Sequence, residues 1–353
     1  MILTKSPYYL DIPWEHPTEV DLPEKYIMQL FVWSGLKSNV PIDPVYELEN
    51  KNPLGRTGNS SVNISNYIND FLEVSLESDV DINVIDANSA VWVKSQVIYY
   101  IDGVVQSAEY ISIDLAIKGY AYGLEGKNYQ INDNLTSVSR VNVSKNSSYN
   151  IALLLSETET TEVTVLSYPN NNINNTYNLA ITTDSNEIVS NLFIDCSNLG
   201  NDTSIEIKRN DVLIKELTLK QELRFNPIDI WFVNKFGVLD TLVFFKDKED
   251  SISIDSEEYE SSVGQALEGF HQYQRYNTTA KKSFKINSGF VKESNNEIFT
   301  QLLLSDKVWQ FKKGVFIPLN LKSKSLEYQT KNRDKLINYE ISFDYAFNDV
   351  NNI

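Results

Sequence analysis

The sequence predicts a mainly β protein, in which tandem antiparallel β-sandwich domains are followed by a C-terminal α+β domain containing one short helix. Three observations lead to this fold class. Of the 353 residues 12% are aromatic, and the 20 tyrosines among them favour half-exposed sheet faces. Short apolar or alternating segments recur between two-residue turn signals. Helical spacing of apolar residues, in contrast, is confined to two short stretches.

The length of the chain and the positions of its turn-forming and charged segments indicate three domains. We expect one β-sandwich over residues 1–130, a second over residues 131–250 and the α+β domain over residues 251–353. Short strands at regular spacing are typical of immunoglobulin- or fibronectin-like sandwiches. The charged segment KDKED, residues 246–250, is interpreted as the boundary before the last domain.

The N-terminal segment combines strands with one short helix. Residues 26–33, YIMQLFVW, form an apolar run that predicts a strand. In residues 66–72 the apolar side chains recur at helical spacing, and Ser65 is the expected N-cap. Asp102-Gly103 lies between two long strand-like segments and is typical of a tight β-hairpin.

The middle segment repeats this β pattern. Short strands are predicted around residues 138–143, 150–155 and 162–167, and Asn210-Asp211 predicts a second tight hairpin. The Asn-rich residues 169–175 are interpreted as a polar, mobile loop.

The densest aromatic and β-branched run of the chain is RFNPIDIWFVNKFGVLDTLVFF, residues 224–245. It predicts two strands around a turn at Lys235-Phe236-Gly237. Because apolar residues occupy both faces of the first strand, we expect a central hairpin with other elements packed above and below it. The rest of the chain is expected to be organised around this hairpin, as the last part of the second sandwich.

The last hundred residues place a helix among strands. Ser294 and Glu297 have the spacing of a capping box before an apolar helical face. Lys313-Gly314 is expected to join two further strands. From Ile337 to Phe347 apolar and polar residues alternate cleanly, which predicts a half-buried strand. Such a strand near the chain end would offer an edge to a neighbouring subunit unless other elements cover it.

Charge and cysteine content exclude several classes of protein. The formal net charge of −17 opposes binding to nucleic acid phosphates. A single cysteine, Cys196, leaves no intramolecular disulfide and fits assembly in a reducing cytosol, where we expect it to be a small buried apolar residue. The N-terminus lacks a continuous apolar signal region, and no segment is long enough to span a membrane, so we expect a soluble protein without membrane insertion.

Catalytic and metal-binding patterns are weak. The two histidines, His16 and His271, have no metal-ligand spacing, and phosphate-binding loops, nucleophile elbows and Cys/His pairs are missing. Residues 79–88 resemble a calcium loop loosely, without its central glycine and terminal glutamate. Two carboxylates at the right separation could still form a glycosidase pair. We therefore expect no enzyme activity and no cofactor, and leave a glycan depolymerase as a remote alternative.

Four aromatic residues are candidate interface or ligand contacts. Trp14, in a loop flanked by prolines, is the tryptophan expected to be exposed, where its ring could stack on a sugar. Tyr339, Phe343 and Tyr345 belong to the alternating C-terminal strand and could bury a contact between subunits.

Several short motifs resemble uncharacterised virion structural proteins of tailed bacteriophages, especially those that infect Bacteroidetes-type bacteria. These motifs are Ser6-Pro7-Tyr8-Tyr9, Phe31-Val32-Trp33-Ser34-Gly35, Ile64-Ser65-Asn66-Tyr67-Ile68-Asn69-Asp70-Phe71, Val233-Asn234-Lys235-Phe236-Gly237, Leu302-Leu303-Leu304-Ser305, Ile317-Pro318-Leu319 and Lys335-Leu336-Ile337-Asn338-Tyr339. The resemblance implies a tail, neck or baseplate component of the virion, assembled in the host cytoplasm, and brings no catalytic residues with it.

The physical properties of the chain and the resemblance to virion proteins both indicate a protein that assembles into an oligomer. A disulfide-free, acidic β protein with strong sheet edges is suited to a homo-oligomeric ring in contact with other virion proteins. The alternative is a tail module that binds a host receptor or surface glycan through loops 41–58 and 169–175.

Overall fold

The computed structural model describes residues 1–14, 22–52, 57–74, 90–129, 135–136, 138–145, 147–154, 160–167, 172–179, 189–197, 199–222, 227–246, 248–261, 268–323 and 337–349. Within these ranges the chain is mainly β and contains two short α-helices, as the sequence predicts.

The N-terminal part is a five-stranded sheet with one face covered. Its strands follow the order β1-β7-β6-β3-β4. A two-stranded ribbon, β2 with β5, and helix α1 supply the apolar side chains that pack on this sheet. The elements are β1 (Ile2–Leu3), β2 (Tyr9–Pro13), β3 (Lys25–Trp33), β4 (Tyr46–Lys51), β5 (Asn59–Asn63), α1 (Ser65–Asn69), β6 (Ala90–Ile101) and β7 (Val104–Ile117).

The middle part packs a five-stranded sheet, in the order β11-β10-β13-β14-β8, against the two-stranded sheet β12-β9. Alternate residues of these strands point into a shared apolar core, as expected for a sandwich. The strands are β8 (Arg140–Ser144), β9 (Ser148–Leu154), β10 (Thr161–Ser167), β11 (Asn172–Leu179), β12 (Val189–Asp195), β13 (Asp202–Arg209) and β14 (Val212–Glu222).

The C-terminal part is a seven-stranded sheet in the order β16-β15-β19-β20-β21-β18-β17. The chain passes from β16 almost directly into β17, and between them the Lys246 amide donates a 3.2 Å hydrogen bond to the Asn287 carbonyl of β18. The sheet therefore curls round on itself, and we call it the C-terminal barrel. Its elements are β15 (Ile228–Val233), β16 (Leu239–Phe244), β17 (Lys248–Glu260), β18 (Tyr273–Val291), α2 (Asn296–Leu303), β19 (Val308–Lys312), β20 (Val315–Leu321) and β21 (Ile337–Tyr345).

Three tight turns are confirmed by their backbone angles. Asp102 and Gly103 have φ of 50° and 74°, and the turns at Asn210-Asp211 and Lys313-Gly314 are likewise in the left-handed region. Positive φ at both central residues matches the right-handed twist of the flanking strands. Asn, Asp and Gly tolerate this conformation best, which is why these dipeptides predicted the hairpins.

The aromatic hairpin β15–β16 contacts all three parts of the chain. Phe232 and Phe244 lie in one core that continues from the barrel into the middle sandwich. Phe236, in the turn, packs with Leu3 and Ile117 of the N-terminal sheet. The expectation of a hairpin buried on both faces is confirmed.

The grouping of this hairpin needs a correction. We expected it to end the second sandwich, but β15 pairs with β19 of the C-terminal barrel. The charged segment that was interpreted as a boundary leads into β17, so the sheet continues through it. Two strand pairs, β1 with β7 and β8 with β14, are parallel in a fold expected to be antiparallel. Partners far apart in the chain decide these pairings, and local patterns do not specify them.

Both predicted helix starts are wrong by one residue. Ser65 lies inside α1, where its amide and hydroxyl donate to Asn63 Oδ1, and the N-cap is Ile64. The N-cap of α2 is Asn295 rather than Ser294. Glu297 accepts one hydrogen bond from Tyr122 of the N-terminal part and one from Gln301, a turn further along α2.

Two predicted loops contain strands. Residues 172–175 belong to β11, and residues 46–51 form β4 within the predicted loop 41–58. Each lies at the end of its sheet, where a partner on one side is enough to hold a polar strand in place.

Candidate functional site

Trp14 is buried, which corrects the expectation that it is exposed. Its ring is 6% exposed and lies 4.8 Å from the ring of Tyr26, measured between centroids. Pairing of β2 with β5 and a 2.8 Å hydrogen bond from the Trp14 amide to the Gly58 carbonyl hold this segment against the sheet. In this position the ring belongs to the N-terminal core and has no open face for a sugar.

Tyr339 and Phe343 point into the C-terminal barrel. The Tyr339 hydroxyl donates a 2.7 Å hydrogen bond to Asn296 Oδ1, and the Phe343 ring stacks on Phe284 at 5.4 Å. The strand that holds them, β21, is paired on both sides, by β18 and by β20. The alternating pattern is confirmed, and around Phe343 and Asp344 β21 is an interior strand, flanked by β18 and β20.

Tyr345 is the last residue of β21. It lines a groove of about 430 Å³ together with residues from β17 and β18: Asp250, Ser251, Ile252, Lys282 and Ser283. The ring of Phe347, half exposed, lies 5.6 Å from the Tyr345 ring. Of the four predicted contact residues, Tyr345 is the one placed beside a surface.

Candidate catalytic groups are scattered or inert. Burial raises the pKa of the Cys196 thiol to about 12, which removes its nucleophilic form at neutral pH. His271 is exposed, whereas His16 and the calcium-like segment 79–88 lie outside the described residues. In the part of the chain that the structure describes, no three His, Cys, Asp or Glu side chains form a metal site.

Two buried carboxyl groups lie within the aromatic hairpin, Asp229 in β15 and Asp240 in β16. Desolvation raises the pKa of Asp229 to about 7 and that of Asp240 to about 6. Asp240 accepts hydrogen bonds from the Thr241 amide at 2.8 Å and from Asn234 Nδ2 at 3.4 Å, which oppose this rise. These groups make the stability of the hairpin region depend on pH.

The most distinctive surface is a two-stranded arm. Pairing of β18 with β21 begins at Ser283, so residues 252–261 and 268–282 extend beyond β21 as a two-stranded ribbon. We call these residues the arm. Among the described residues, only at its base does the chain after β21 contact the arm, where the Asp349 amide donates a 2.7 Å hydrogen bond to the Ala280 carbonyl. β17 is the last strand of its sheet, and no described strand pairs with its outer edge. An unpaired edge of this length is a template for another chain.

The arm exposes an unusual number of large apolar side chains. Six of them are between 42% and 68% exposed: Ile252, Ile254, Tyr259, Phe270, Tyr273 and Tyr276. Clusters of exposed apolar residues of this kind mark surfaces that become covered by a partner.

The two sides of the arm differ in chemistry. On the side that continues the barrel interior, Ile252 and Ile254 are exposed, and Arg275 forms a 3.0 Å ion pair with Glu258. On the outer side, Glu257 lies opposite Tyr276 across the ribbon, and the rings of Tyr259 and Tyr276 lie 5.7 Å apart.

Sequence reasoning missed the arm. Residues 246–250 were interpreted as a domain boundary, and the alternation Ser251-Ile252-Ser253-Ile254 that follows was not recognised as a strand. This alternation was the available signal, because a period of two predicts a strand. That the strand leaves the barrel depends on where β21 ends, which is a property of the fold.

Comparisons with known proteins add no identification. No protein-family model matches the chain, and a comparison with curated proteins finds no match. Neither helix in the described ranges is long and apolar enough to cross a membrane.

Proposed function

We propose that the protein is a non-enzymatic structural subunit of a bacteriophage virion, a tail, neck or baseplate component. In this role it assembles as a homo-oligomeric ring in the host cytoplasm and contacts other virion proteins. The resemblance of its motifs to virion structural proteins suggests that it is part of a virion. The observation that carries the proposal is the arm, with its free edge and six exposed apolar side chains.

The arm is suited to bridging subunits because it is supported at one end only. Its base is part of the barrel, where β18 pairs with β21 over residues 283–291. Its distal half has no described neighbour besides its own two strands, so the apolar side chains remain in water in a single copy. Covering half-exposed Ile and Tyr side chains by a partner is favourable by roughly 25 cal/mol for each Å² of apolar surface removed from water.

The alternative of a glycan-binding tail module has lost its main support. It relied on an exposed Trp14 and on two predicted loops, but Trp14 is buried and both loops contain strands. We therefore propose the ring subunit alone.

The test is the mass of the protein in solution, measured by light scattering after size exclusion over a range of concentrations. We expect a discrete oligomer for the full chain. A variant in which residues 255–279 are replaced by Asn-Gly keeps the pairing of Ile254 with Ala280 and should be monomeric. Its thermal midpoint should remain close to that of the full chain, because the removed residues lie outside the barrel core.

The control is Asp102→Asn, which creates the same Asn-Gly turn in the N-terminal sheet and should leave the oligomer intact. A full chain that stays monomeric at every concentration would refute the proposed ring. An arm-shortened variant that assembles like the full chain would refute the role of the arm.

A further inference from the structure

Two patches of opposite charge lie on the same outer side of the barrel and arm. The first, which we call the acid–tyrosine patch, consists of Asp255, Glu257, Tyr259 and Tyr276. In the described part of the arm from residue 255 outward, Arg275 is the single Lys or Arg, and it points to the opposite side, where it pairs with Glu258. Among the described residues, the distal part of the acid–tyrosine patch, Glu257 with the two tyrosines, therefore has no cation on its own side, whereas Asp255 lies diagonally across the ribbon from Lys281.

The second patch, the lysine pair, consists of Lys281 and Lys322. Both ammonium groups approach the same carboxylate, with Lys281 Nζ at 3.5 Å from Asp344 Oδ2 and Lys322 Nζ at 3.6 Å from Asp344 Oδ1. The two lysine side chains are 42% and 58% exposed. One carboxylate thus serves two cations at long distances, which leaves donors on both ammonium groups for a further partner.

Within one copy only part of the acid–tyrosine patch lies close to the lysine pair. Asp255 is near Lys281, because it is two residues along β17 from Ser253, the partner of Lys281. Glu257 is four residues from Ser253, or about 14 Å along a strand, and is too far from Lys281 to pair with it. Both patches face the same direction, because Ser253, which pairs with Lys281, lies on the same side of β17 as Asp255 and Glu257. A second copy that packs on this side can bring its lysine pair onto the acid–tyrosine patch.

We propose that the acid–tyrosine patch of one copy binds the lysine pair of a second copy. This inference rests on the proposed homo-oligomer and identifies the residues of its contact. The carboxylates of Asp255 and Glu257 accept hydrogen bonds from the two ammonium groups. The rings of Tyr259 and Tyr276 offer their faces to the same cations.

Charge favours this pairing over other contacts between copies. The chain carries a net charge of −17, and β17 alone holds six acidic residues against one lysine, so contact between two β17 edges would set acids against acids. A contact that joins an acidic patch to a basic one avoids this repulsion and selects one orientation of the copies.

The experiment uses two charge-reversal variants of the full chain. The acid-patch variant is Asp255→Lys/Glu257→Lys, and the lysine-pair variant is Lys281→Glu/Lys322→Glu. For each we measure by light scattering the concentration at which half of the protein is assembled. We expect this concentration to rise about tenfold or more for either variant alone.

Mixing separates direct pairing from general charge effects. In a 1:1 mixture, the lysines introduced at positions 255 and 257 of one variant can pair with the glutamates introduced at positions 281 and 322 of the other. The unmodified acid–tyrosine patch of the second variant can likewise pair with the unmodified lysine pair of the first. We therefore expect assembly close to that of the unmodified protein. The matched control Glu258→Lys/Glu260→Lys makes the same charge change on the opposite side of β17 and should not reproduce the loss. Equal thermal midpoints verify that all variants fold.

Each other outcome overturns the inference in a distinguishable way. Variants that assemble like the unmodified protein, or a mixture that does not recover, show that the two patches do not meet, while the oligomer itself stands. An unmodified protein that is monomeric at every concentration refutes the proposed ring and this contact together.

Discussion

The backbone amide of Tyr120 donates a 2.7 Å hydrogen bond to the carbonyl oxygen of Lys235. It joins the segment after β7 of the N-terminal sheet to the turn of the aromatic hairpin. The two backbones approach so closely that a Cβ on Gly119 would lie 2.6 Å from the Lys235 oxygen. A Cβ on Gly237 would lie 2.6 Å from the Lys118 carbonyl. Glycine at both positions permits this contact.

Gly237→Ala is expected to lower the free energy of unfolding by about 2–4 kcal/mol, because strain at a φ of +75° adds to the collision with Lys118. Urea denaturation measures the change. The matched control is Gly103→Ala, which has a similar φ of +74° and open space around the added carbon. It should cost only about 1 kcal/mol. If both variants lose the same free energy of unfolding, the collision with Lys118 does not contribute to the cost of Gly237→Ala.

Lys235 secures the same contact through its side chain. Its Nζ lies 3.3 Å from Glu125 Oε1 and within 6 Å of the ring centroids of Tyr122, Tyr129 and Phe236. Because the cation is largely buried, we expect Lys235→Met to lower the free energy of unfolding by roughly 1–3 kcal/mol.

The control for this prediction is Lys25→Met, since Lys25 has an ion pair of the same 3.3 Å length and lies 4.4 Å from the ring centroid of Tyr100 at a more exposed site. Lys25→Met should lower the free energy of unfolding by less than about 1 kcal/mol. A larger loss at Lys25 than at Lys235 in urea denaturation would contradict the argument from burial.

Asp229 makes the protein less stable as pH rises. Desolvation raises its folded-state pKa from 3.8 to about 7, so the folded state keeps a proton that the unfolded chain has released. Stability therefore falls between about pH 4 and pH 7, and Asp240, with a pKa of about 6, acts in the same direction. We expect Asp229→Asn to raise the free energy of unfolding at pH 8 by on the order of 2–4 kcal/mol.

Urea denaturation at pH 4, 6 and 8 measures this effect. The gain from Asp229→Asn should be small at pH 4 and grow with pH, because the native carboxyl is neutral in acid. A gain that is constant across this range would show that ionisation of Asp229 is not its cause.

Cys196 is expected to resist thiol reagents in the folded protein. Its side chain is fully buried, and its pKa is raised to about 12. Alkylation at pH 8 should proceed at the rate at which the structure opens, and denaturation in urea should accelerate it strongly. Rapid modification in native buffer, followed by mass spectrometry, would contradict the described burial.

The local pattern of the chain predicted elements whose partners are near in sequence. Asp102-Gly103 and Asn210-Asp211 specified their hairpins, because a two-residue turn with positive φ needs nothing beyond its flanking strands. The alternation in β21 and the apolar run in β15 predicted burial, because the period of a strand is visible within a few residues.

Contacts between distant residues decided the rest. Trp14 is buried because β5 and the Gly58 carbonyl, more than forty positions along the chain, hold it in place. The pairing of β21 with β18 and β20 places Tyr339 and Phe343 in the interior. The pairing of β18 with β21 ends at Ser283, and the arm begins there. The free energy that selects these pairings comes from burial shared among distant strands, so it is a property of the assembled fold and is not carried by any single segment.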